Sequence, residues 1–430
     1  MVADSLPTSR GGVPDLHPLA WLVCIVTGLF FFYEFIQMNV LNSISVPVMR
    51  DFHIRAGGLS ELSSVYFYAD ALFLIPAGII LDRFSTRHVT LVTMSFCVAG
   101  AVLFATTSHF YFAFFARLVM GAGNAFCFLA CMRIAANWFP SERLALVMGV
   151  ITTLAMLGGV VAQGPALFLA TQYGWRVAMY WNAGLGLVIW VLLLFFVKDT
   201  PQASVVVPRH SSATRLPLGE SLRASVTTRQ NWLAGTYTCL LNLPVALFGA
   251  LWGGLYLTKA HGLSAPEAAT VSSMVFWGTI FGAPLVGYLS DKLGARKPLM
   301  LLGGGLSLLL ILVVLFLSQL SYLGLVSLFF VLGLVSSSQV LSYPLVTETN
   351  PTSITSTALG FTCSIVMGGS AAMMEISGKL LDWHHGASSL VAANQYATTD
   401  YQFALFIIPV SFVVAIICAS FCREALAEKK

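Results

Sequence analysis

The chain has 430 residues, of which 57% are hydrophobic and only 9% are charged, and its formal net charge is +4. Soluble domains carry about 25% charged residues, so this composition excludes a protein whose surface mostly faces water. Long apolar stretches recur over the whole length, and a helix of roughly 20 apolar residues crosses a bilayer. Because the backbone must satisfy its own hydrogen bonds in lipid, the sequence predicts an all-α membrane protein.

The apolar stretches divide the chain into twelve transmembrane helices. The predicted spans are 19–47, 57–81, 88–107, 109–137, 144–170, 177–197, 231–257, 265–290, 298–318, 321–346, 356–381 and 401–422. A polar segment rich in Pro and Ser follows the sixth span. We therefore expect an N-terminal six-helix bundle at 1–198, a cytoplasmic linker at 199–229 and a C-terminal six-helix bundle at 230–430.

The distribution of Lys and Arg predicts the orientation, since these residues accumulate on the cytoplasmic side of a membrane. With the N-terminus inside, fifteen of them fall in cytoplasmic segments and four fall outside, namely Arg50, Arg55, Arg176 and Lys259. We expect both termini to be cytoplasmic.

A ten-residue motif occurs twice, once in each half of the chain. GIILDRFSTR follows the second span and GYLSDKLGAR follows the eighth. Four positions correspond at a constant offset of 209 residues: Gly78 with Gly287, Asp82 with Asp291, Arg83 with Lys292, and Arg87 with Arg296. A duplicated six-helix unit is typical of secondary transporters, whose solute site lies near the bilayer midplane between the halves.

These motifs carry a family resemblance that extends over essentially the whole chain. The loop after the second span resembles the G-x-x-x-D-R-x-G-R-R motif of the major facilitator superfamily, with Ser85 at the usual glycine, and Gly294 restores that glycine in the second copy. Arg117 to Ala125 is similar to the family pattern R-x-x-x-G-x-G-x-A, and Gly174-Trp175-Arg176 also matches. The resemblance implies two pseudo-symmetric six-helix bundles and secondary active transport by alternating access.

A finer resemblance concerns the segments FYEF (32–35), NWFPSERLALVMG (137–149) and TALGF (357–361). They look like bacterial carriers of the phagosomal transporter type, which import amino acids or nucleosides. This resemblance implies a bacterial inner-membrane protein and makes amino acids the leading substrate class, ahead of nucleosides and small organic acids.

The repeated motif predicts a gate on the cytoplasmic side. A carboxylate at Asp82 can accept N–H bonds from a neighbouring helix start and pair with Arg87, and Asp291 is placed in the same way. Such clusters would close this side when the carrier opens outward. The alternative is a basic loop that only sets orientation. The predicted gating residues are Gly78, Asp82, Arg83, Arg87, Gly287, Asp291, Lys292 and Arg296.

Two acids near mid-bilayer are the candidates for proton coupling, because ionisable groups in a span are costly and usually functional. Glu34 lies about 15 residues into the first span and forms a polar stripe with Tyr33 and Gln37. Asp70 lies 12 residues before Asp82, with Tyr66 and Tyr68 nearby as expected hydrogen-bond donors. Each acid has an alternative role: Glu34 as a static hydrogen-bonded residue, and Asp70 as the partner of a buried arginine.

Arg117 is the predicted counter-charge to these acids, or the group that binds a solute carboxylate through its planar fork. Arg133 lies deeper on the same span and either lines the pathway or reaches the interface. In the second half we predict that neutral groups contact the solute, and the role of Glu375 stays open. The full predicted substrate-binding set is Tyr33, Glu34, Gln37, Arg117, Arg133, Asn242, Gln339 and Tyr343.

The sequence thus predicts a carrier of a small polar solute, working by proton-coupled symport. It predicts no cofactor, no metal site, no enzyme activity and no nucleic-acid partner; the partners are the solute, protons and the lipid bilayer, and the chain is expected to be a monomer. The first alternative is an efflux antiporter for drugs, siderophores or organic anions. The second is a membrane receptor that binds a ligand without transport.

Overall fold

A computed structural model describes residues 18–200, 218–317, 320–351, 354–386 and 396–424. All regular secondary structure in these ranges is helical. The N-terminal residues 1–17, most of the predicted linker (201–217) and the C-terminal residues 425–430 lie outside the described part.

The first half consists of six long helices that run alternately up and down. They are α1 (Pro18–Asp51), α2 (Ala56–Arg83), α3 (Thr86–Thr106), α4 (Phe110–Trp138), α5 (Ser141–Tyr173) and α6 (Trp175–Phe196). The predicted spans at these positions are confirmed to within a few residues at each end.

The second half follows a short helix, α7 (Leu218–Thr227), which lies inside the segment expected to be the linker. Its first span is α8 (Arg229–Leu241), the π-helical segment Pro244–Trp252 and α9 (Gly253–Ala260). The remaining helices are α10 (Ala265–Leu293), α11 (Lys297–Phe316), α12 (Tyr322–Ser336) with the 3₁₀ turn Ser337–Leu341 and α13 (Ser342–Thr349), α14 (Thr355–His385), and α15 (Thr398–Leu405) with α16 (Ile407–Phe421).

The described residues contain 11 helices that are long and apolar enough to cross a membrane, or 12 when the pair Arg229–Leu241 and Pro244–Ala260 counts as one span bent by 42°. Pro244 explains the bend, because proline lacks the N–H of a regular helix and clashes with the carbonyl four residues earlier. The chain widens there into the π-helical segment, a form that is often found at functional sites.

Glycines set the closest helix crossings, and the same crossing occurs in both halves. A Cβ on Gly121 of α4 would collide with the main chain of Tyr66 in α2. A Cβ on Gly333 of α12 would collide with the main chain of Val275 in α10, and Val275 lies 209 residues beyond Tyr66. Small residues are what allow membrane helices to approach so closely. The pseudo-symmetry therefore extends from the loop motif into the packing.

The most extensive contacts between the halves are those of α2 with α14, α5 with α10, and α1 with the π-helical segment. Counted as spans, α2 and α14 are the second and the eleventh, and α10 and α5 are the eighth and the fifth. Exchanging the halves converts one of these pairs into the other. The prediction of two pseudo-symmetric six-helix bundles is therefore confirmed.

The end of the bundle where α1 stops and α2 begins is called the α1–α2 end, and the opposite end is the α2–α3 end. At the α1–α2 end, Gly174 has φ 89°, which favours glycine between α5 and α6. The next two residues bind the end of α1: Trp175 Nε1 donates to Asp51 Oδ2 at 2.8 Å, and Arg176 bonds the same oxygen. Arg176 also donates to the Thr107 carbonyl at 3.1 Å, so this motif ties α1, α3 and α6 together.

Candidate functional site

Polar contacts hold the two halves together at the α1–α2 end. Asp382 of α14 accepts a hydrogen bond from the Gly57 N–H at 2.9 Å, and its Oδ1 lies 3.6 Å from Arg55 Nε. The Tyr396 hydroxyl donates to Asp382 Oδ1 and accepts from the Ala56 N–H at 3.1 Å. This set of residues, the end seal, closes the space between α2 and α14.

A second set of contacts lies one level deeper and is built from two buried amides of the first half. Asn42 Nδ2 donates to Gln163 Oε1 at 2.7 Å and to the Phe248 carbonyl at 3.1 Å. Gln163 Nε2 donates to the Gly249 carbonyl at 2.7 Å, and the Gly254 N–H donates to Asn42 Oδ1 at 2.8 Å. This amide layer binds the π-helical segment, whose carbonyls are available because its helical bonding is irregular. A cavity of about 300 Å³ adjoins it.

Beside the amide layer, the ring of Phe276 (α10) lies between the halves. A Cβ on Gly159 of α5 or on Gly249 would collide with this ring. Asn39 of α1 faces the same place, 3.6 Å from the point where a Gly249 Cβ would lie. Asn39 is fully buried, and its Oδ1 has no hydrogen-bond partner among the described residues. The site therefore offers one free acceptor next to an aromatic ring.

Hydrogen bonds between the halves continue only to the middle of the bundle. Tyr68 Oη donates to Glu375 Oε2 at 3.1 Å, and Glu375 also pairs with Lys379 on its own helix. Farther along, Ser364 Oγ donates to the Ala71 carbonyl at 3.3 Å. The described residues make no hydrogen bond between the halves closer to the α2–α3 end than this one. The hydrogen bonds between the halves described above thus lie between the α1–α2 end and the middle of the bundle.

Glu34 is the seventeenth of the 34 residues of α1, so it lies at mid-span as predicted. It is fully buried, and the Tyr66 hydroxyl donates to its Oε2 at 2.7 Å. Its Oε1 has no hydrogen-bond partner among the described residues. The Cys97 thiol lies close by, but donates to the Met120 carbonyl at 3.8 Å. One carboxylate oxygen is therefore free to carry a proton.

Arg117 reaches Glu34 through Tyr66 instead of by a direct ion pair. Its guanidinium carbon lies 4.6 Å from the centre of the Tyr66 ring, a cation–π geometry. Nε donates to the Leu62 carbonyl at 3.0 Å and Nη1 to the Gln37 carbonyl at 2.6 Å, while Nη2 has no partner among the described residues. The arginine therefore ties α1 to α2 and supplies the buried positive charge near Glu34.

The predicted stripe on α1 faces the interior of the first half. Gln37 Nε2 donates to the Tyr33 hydroxyl at 2.6 Å, and the Tyr33 ring packs on Gly186 of α6. The surface of α1 that meets the second half carries Asn39 and Asn42 instead. Sequence reasoning missed both residues, and Gln163 as well, because neutral amides give no charge signal. The one available indication was Pro244 within a span.

Asp70 is buried, and Asn124 Nδ2 of α4 donates to its Oδ2 at 2.8 Å. The expectation that Tyr66 and Tyr68 bond this acid is wrong, because they point instead to Glu34 and to Glu375. Along α2, Tyr68 lies about 200° from both Tyr66 and Asp70, since a helix turns roughly 100° per residue, while Tyr66 and Asp70 are one turn apart on the same face. These three residues of α2 thus bond to three different side chains, those of Glu34, Glu375 and Asn124.

Comparison with known proteins decides the family. The profile of the Major Facilitator Superfamily matches residues 23–374 and 236–429, which together cover almost the whole chain.

The chain belongs to the Major Facilitator Superfamily.

Individual relatives are distant. The chain is 23% identical over 295 residues to the probable sulfoacetate transporter SauU of Cupriavidus necator, covering 65% of this chain and 66% of that protein. It is 28% identical over 265 residues to a hexuronate transporter of Bacillus subtilis, covering 59% and 61%. It thus spans less than two thirds of the length of these curated relatives. Both of these curated relatives are named as transporters, and the chain shares their superfamily fold pattern.

Among solved structures, the fold is similar to that of a bacterial homologue of the human lysosomal transporter Spinster in an inward-facing, occupied conformation. The TM-score is 0.72 at 16% sequence identity, and the match covers 94% of this chain and 96% of the other. At this identity the likeness concerns the superfamily fold alone.

The second copy of the superfamily loop motif forms a cluster within its own half. Arg296 Nη1 donates to Asp291 Oδ1 at 2.7 Å, and Nη2 donates to Glu348 Oε1 at 3.0 Å. Burial opposes the charged form of Arg296, but the bonds from Glu348 and Asp291 outweigh it and raise the pKa of this guanidinium. Glu424 accepts the Arg296 and Lys297 N–H groups at the start of α11. The expected pairing of acid and arginine is present here.

The first copy is only partly described, because the side chain of Asp82 lies outside the described part. Arg87 Nη2 donates to the Leu194 carbonyl at 2.6 Å, and its N–H donates to Asp199 Oδ1 at 2.8 Å. Arg83 and Lys292 are exposed, and no atom lies within 4 Å of a Cβ added at Gly78 or Gly287. In the described residues both loops bind their own half.

The remaining predicted residues of the second half are not brought together with Glu34. Asn242 ends α8 and is half-buried, as is Tyr343 of α13. Gln339 lies in the 3₁₀ turn, where its carbonyl accepts from the Thr238 and Ser342 hydroxyls at 3.1 and 3.0 Å. Arg133 is half-buried on α4. Their roles stay predictions.

The paired histidines His384 and His385 both bond to Asp400 of α15, at 2.6 and 2.8 Å. This carboxylate also accepts the Ala397 N–H at 2.8 Å, so the cluster fixes the start of α15 against the end of α14. The described residues hold no group of three or more His, Cys, Asp or Glu arranged to bind a metal.

Proposed function

We propose that this transporter is a proton-coupled symporter for a small polar solute, and that Glu34 carries the proton. The observation that carries the proposal is the free Oε1 of Glu34, a fully buried carboxyl group at mid-span. A buried charge is costly without partners, and among the described residues this acid has the Tyr66 hydroxyl at 2.7 Å and the nearby Cys97 thiol to offset that cost. Binding a proton removes that cost, so the group can be loaded and unloaded in each cycle.

The distribution of contacts between the halves supports alternating access. The end seal and the amide layer close the α1–α2 end, while the hydrogen bonds between the halves described above extend no farther than Ser364 toward the opposite end. We place the α1–α2 end outside the cell, in line with the Lys and Arg distribution, so this arrangement is inward-facing. Opening to the outside then requires these contacts to break, while the loop clusters at Asp82 and Asp291 close the inner side.

The solute is proposed to bind between the halves, where Asn39 Oδ1 is free and the Phe276 ring is next to it. An acceptor of this kind suits the ammonium group of an amino acid, which is the leading substrate class. Arg117 is bound to two main-chain carbonyls inside the first half, so charge balance for Glu34 is its better-supported role. The protein is proposed to be a monomer in a bacterial inner membrane.

A second candidate substrate class is a small organic anion. The two named relatives are transporters of sulfoacetate and of hexuronate, which are both organic anions. Arg117 Nη2 is the unpartnered donor that would meet such a group after a rearrangement.

The test uses purified protein in liposomes that contain a pH-sensitive dye. Pools of amino acids, nucleosides and organic acids are added outside in turn. We expect acidification inside with one pool, and loss of that signal in Glu34→Gln. Glu375→Gln is the matched control, because Glu375 is partly exposed and paired with Lys379.

Three results would contradict the proposal. Unchanged proton entry in Glu34→Gln would remove Glu34 from the coupling mechanism. Alkalinisation upon addition of a solute would indicate an antiporter, and a ligand that stabilises the protein without any flux would indicate a receptor.

A further inference from the structure

We infer that Tyr66 is a positioning residue that transmits the protonation state of Glu34, through Arg117, to the part of α1 that forms the amide layer. This inference rests on the proposed proton site. Glu34 itself does not contact the second half, so some connection must link a proton there to a change at the interface. The contacts of Tyr66 supply that connection.

Tyr66 has two charged partners on different parts of its side chain. Its hydroxyl donates to Glu34 Oε2 at 2.7 Å and lies 3.2 Å from the Glu34 main-chain carbonyl. The face of its ring lies 4.6 Å from the guanidinium carbon of Arg117. One side chain therefore contacts both the acid and the base of a fully buried pair.

Arg117 holds α1 in position. Its Nη1 donates to the Gln37 carbonyl of α1, and its Nε donates to the Leu62 carbonyl of α2. Gln37 precedes Asn39 by two residues and Asn42 by five, which is about 3 and 7.5 Å along a helix. A change in the hydrogen bond from Arg117 to the Gln37 carbonyl therefore acts on the part of α1 that bonds the Phe248 carbonyl and the Gly254 N–H.

Protonation changes both contacts in the same direction. A hydrogen bond to a carboxylate is roughly twice as strong as one to a neutral group, so proton binding to Glu34 weakens the Tyr66 bond. It also removes the negative charge that compensates buried Arg117, and an uncompensated buried charge is strongly unfavourable. Arg117 then gains from moving toward another partner, and its unpartnered Nη2 is already available. The hydrogen bond from Arg117 Nη1 to the Gln37 carbonyl weakens as a result.

Other titratable groups surround Glu34 on each helix that packs there. They are Tyr33 on α1, Asp70 on α2, Cys97 on α3, and Arg117 and Cys127 on α4. Where α5 and α6 meet α1 at this level, they present Gly158 and Gly186. Tyr66 on α2 also faces Glu34, and its side chain contacts both Glu34 and Arg117.

Tyr66 is also rigidly held, which a connecting residue requires. Its main chain packs directly against Gly121 of α4. The equivalent crossing in the second half has Val275, which has no hydroxyl and no ring. The close crossing is thus shared, whereas the connection between acid and base occurs in the first half.

The experiment measures opening of the α1–α2 end by the distance between two spin labels. The labels are attached through Arg50→Cys and Trp383→Cys, whose side chains are exposed and belong to opposite halves. Cys363 and Cys418 are changed to alanine, because these are the partly exposed native thiols. Distances are recorded in acidic and in alkaline buffer without solute.

In the labelled parent, we expect the distance distribution to change with pH. In Tyr66→Phe this pH-dependent change should be at least about tenfold smaller, because the variant lacks one hydrogen bond to a charged group. Tyr237→Phe is the matched control, since Tyr237 is a fully buried tyrosine of the second half that donates to the Met300 carbonyl. It should respond like the parent.

Arg117→Lys provides a second variant, because lysine keeps the charge but cannot reproduce the bonds to both Gln37 and Leu62. It should lose the response as well. A full response in Tyr66→Phe overturns the inference. A full response in Glu34→Gln contradicts the proposed proton site itself, so the two failures are distinguishable. Thermal unfolding of each variant separates loss of coupling from loss of folding.

Discussion

Asn42 of α1 donates to Gln163 of α5 at 2.7 Å, and each of these two buried amides also bonds to the π-helical segment of the other half. Asn42 is the more heavily used of the pair, since its oxygen accepts the Gly254 N–H as well. In the amide layer, the first half therefore holds the second by main-chain groups, which no single side-chain change in the second half would remove.

The first prediction concerns Asn42→Ala. It leaves the Phe248 carbonyl and the Gly254 N–H without partners in the sealed arrangement, at a cost of about 1–3 kcal/mol for a buried unsatisfied group. The sealed state should therefore become less populated, and thiol reagents added outside should reach a cysteine introduced at Thr258 faster. Thr258 lines the cavity beside the amide layer.

Ser43→Ala is the matched control for this prediction. Ser43 is the next residue in sequence, but its hydroxyl donates to the Ala162 carbonyl within the first half, at 2.7 Å. Equal labelling rates in the two variants would show that the amide layer does not hold the halves together.

The second prediction concerns the end seal. In a double-mutant cycle, Arg55→Ala and Asp382→Ala should show an interaction energy of about 0.5–3 kcal/mol, because the two residues share one network. Unfolding in detergent, followed by tryptophan fluorescence, gives the energies. Arg50→Ala replaces Arg55→Ala in the control cycle, since Arg50 is at the same end and its side chain is 80% exposed. Additive energies for Arg55 and Asp382 would mean that their contact adds nothing.

The third prediction concerns the crossing of α2 and α4. Gly121→Val places methyl groups where the Tyr66 main chain lies, and overpacking costs about 1–3 kcal/mol or more when backbone must move. The melting temperature should fall and the yield of monodisperse protein should drop. Gly149→Ala, on an open face of α5, should instead be neutral or stabilising. A normal melting temperature in Gly121→Val would contradict this packing.

The fourth prediction concerns the loop cluster at the α2–α3 end. Arg296→Ala removes the shared partner of Asp291 and Glu348, so we expect a loss of about 2 kcal/mol, below the range for fully buried pairs because Asp291 is exposed. Solute flux should also fall if this cluster gates the inner side. Lys292→Ala changes an exposed cation of the same motif and should leave the melting temperature close to the parent value.

The sequence was sufficient to predict the spans and the two six-helix halves, because apolar length and the repeated loop motif can be read from the local chain alone. It also predicted that Glu34 lies buried at mid-span. It did not predict that Tyr66 bonds Glu34 while Asp70 bonds Asn124, since these pairings depend on how α1, α2 and α4 are rotated about their axes.

The amide layer was beyond sequence reasoning for a related reason. Asn42 and Gln163 are 121 residues apart, and their shared target is a π-helical segment that begins at Pro244 within a span. Neutral side chains that bind main-chain groups have no recognisable spacing. Charges drew attention to the interior of the first half, while the contacts that join the halves are made largely by amides and backbone.

The repeated crossing, Tyr66 on Gly121 and Val275 on Gly333, has a consequence for how the two halves have diverged. Both halves keep the same close helix crossing, but the residue that packs on the glycine is Tyr66 in the first half and Val275 in the second. Under the proposed coupling through Glu34, a change in charge would enter the molecule through the first half. The second half would then respond to it passively, and its polar residues could be altered for a new solute without disturbing the proposed proton site.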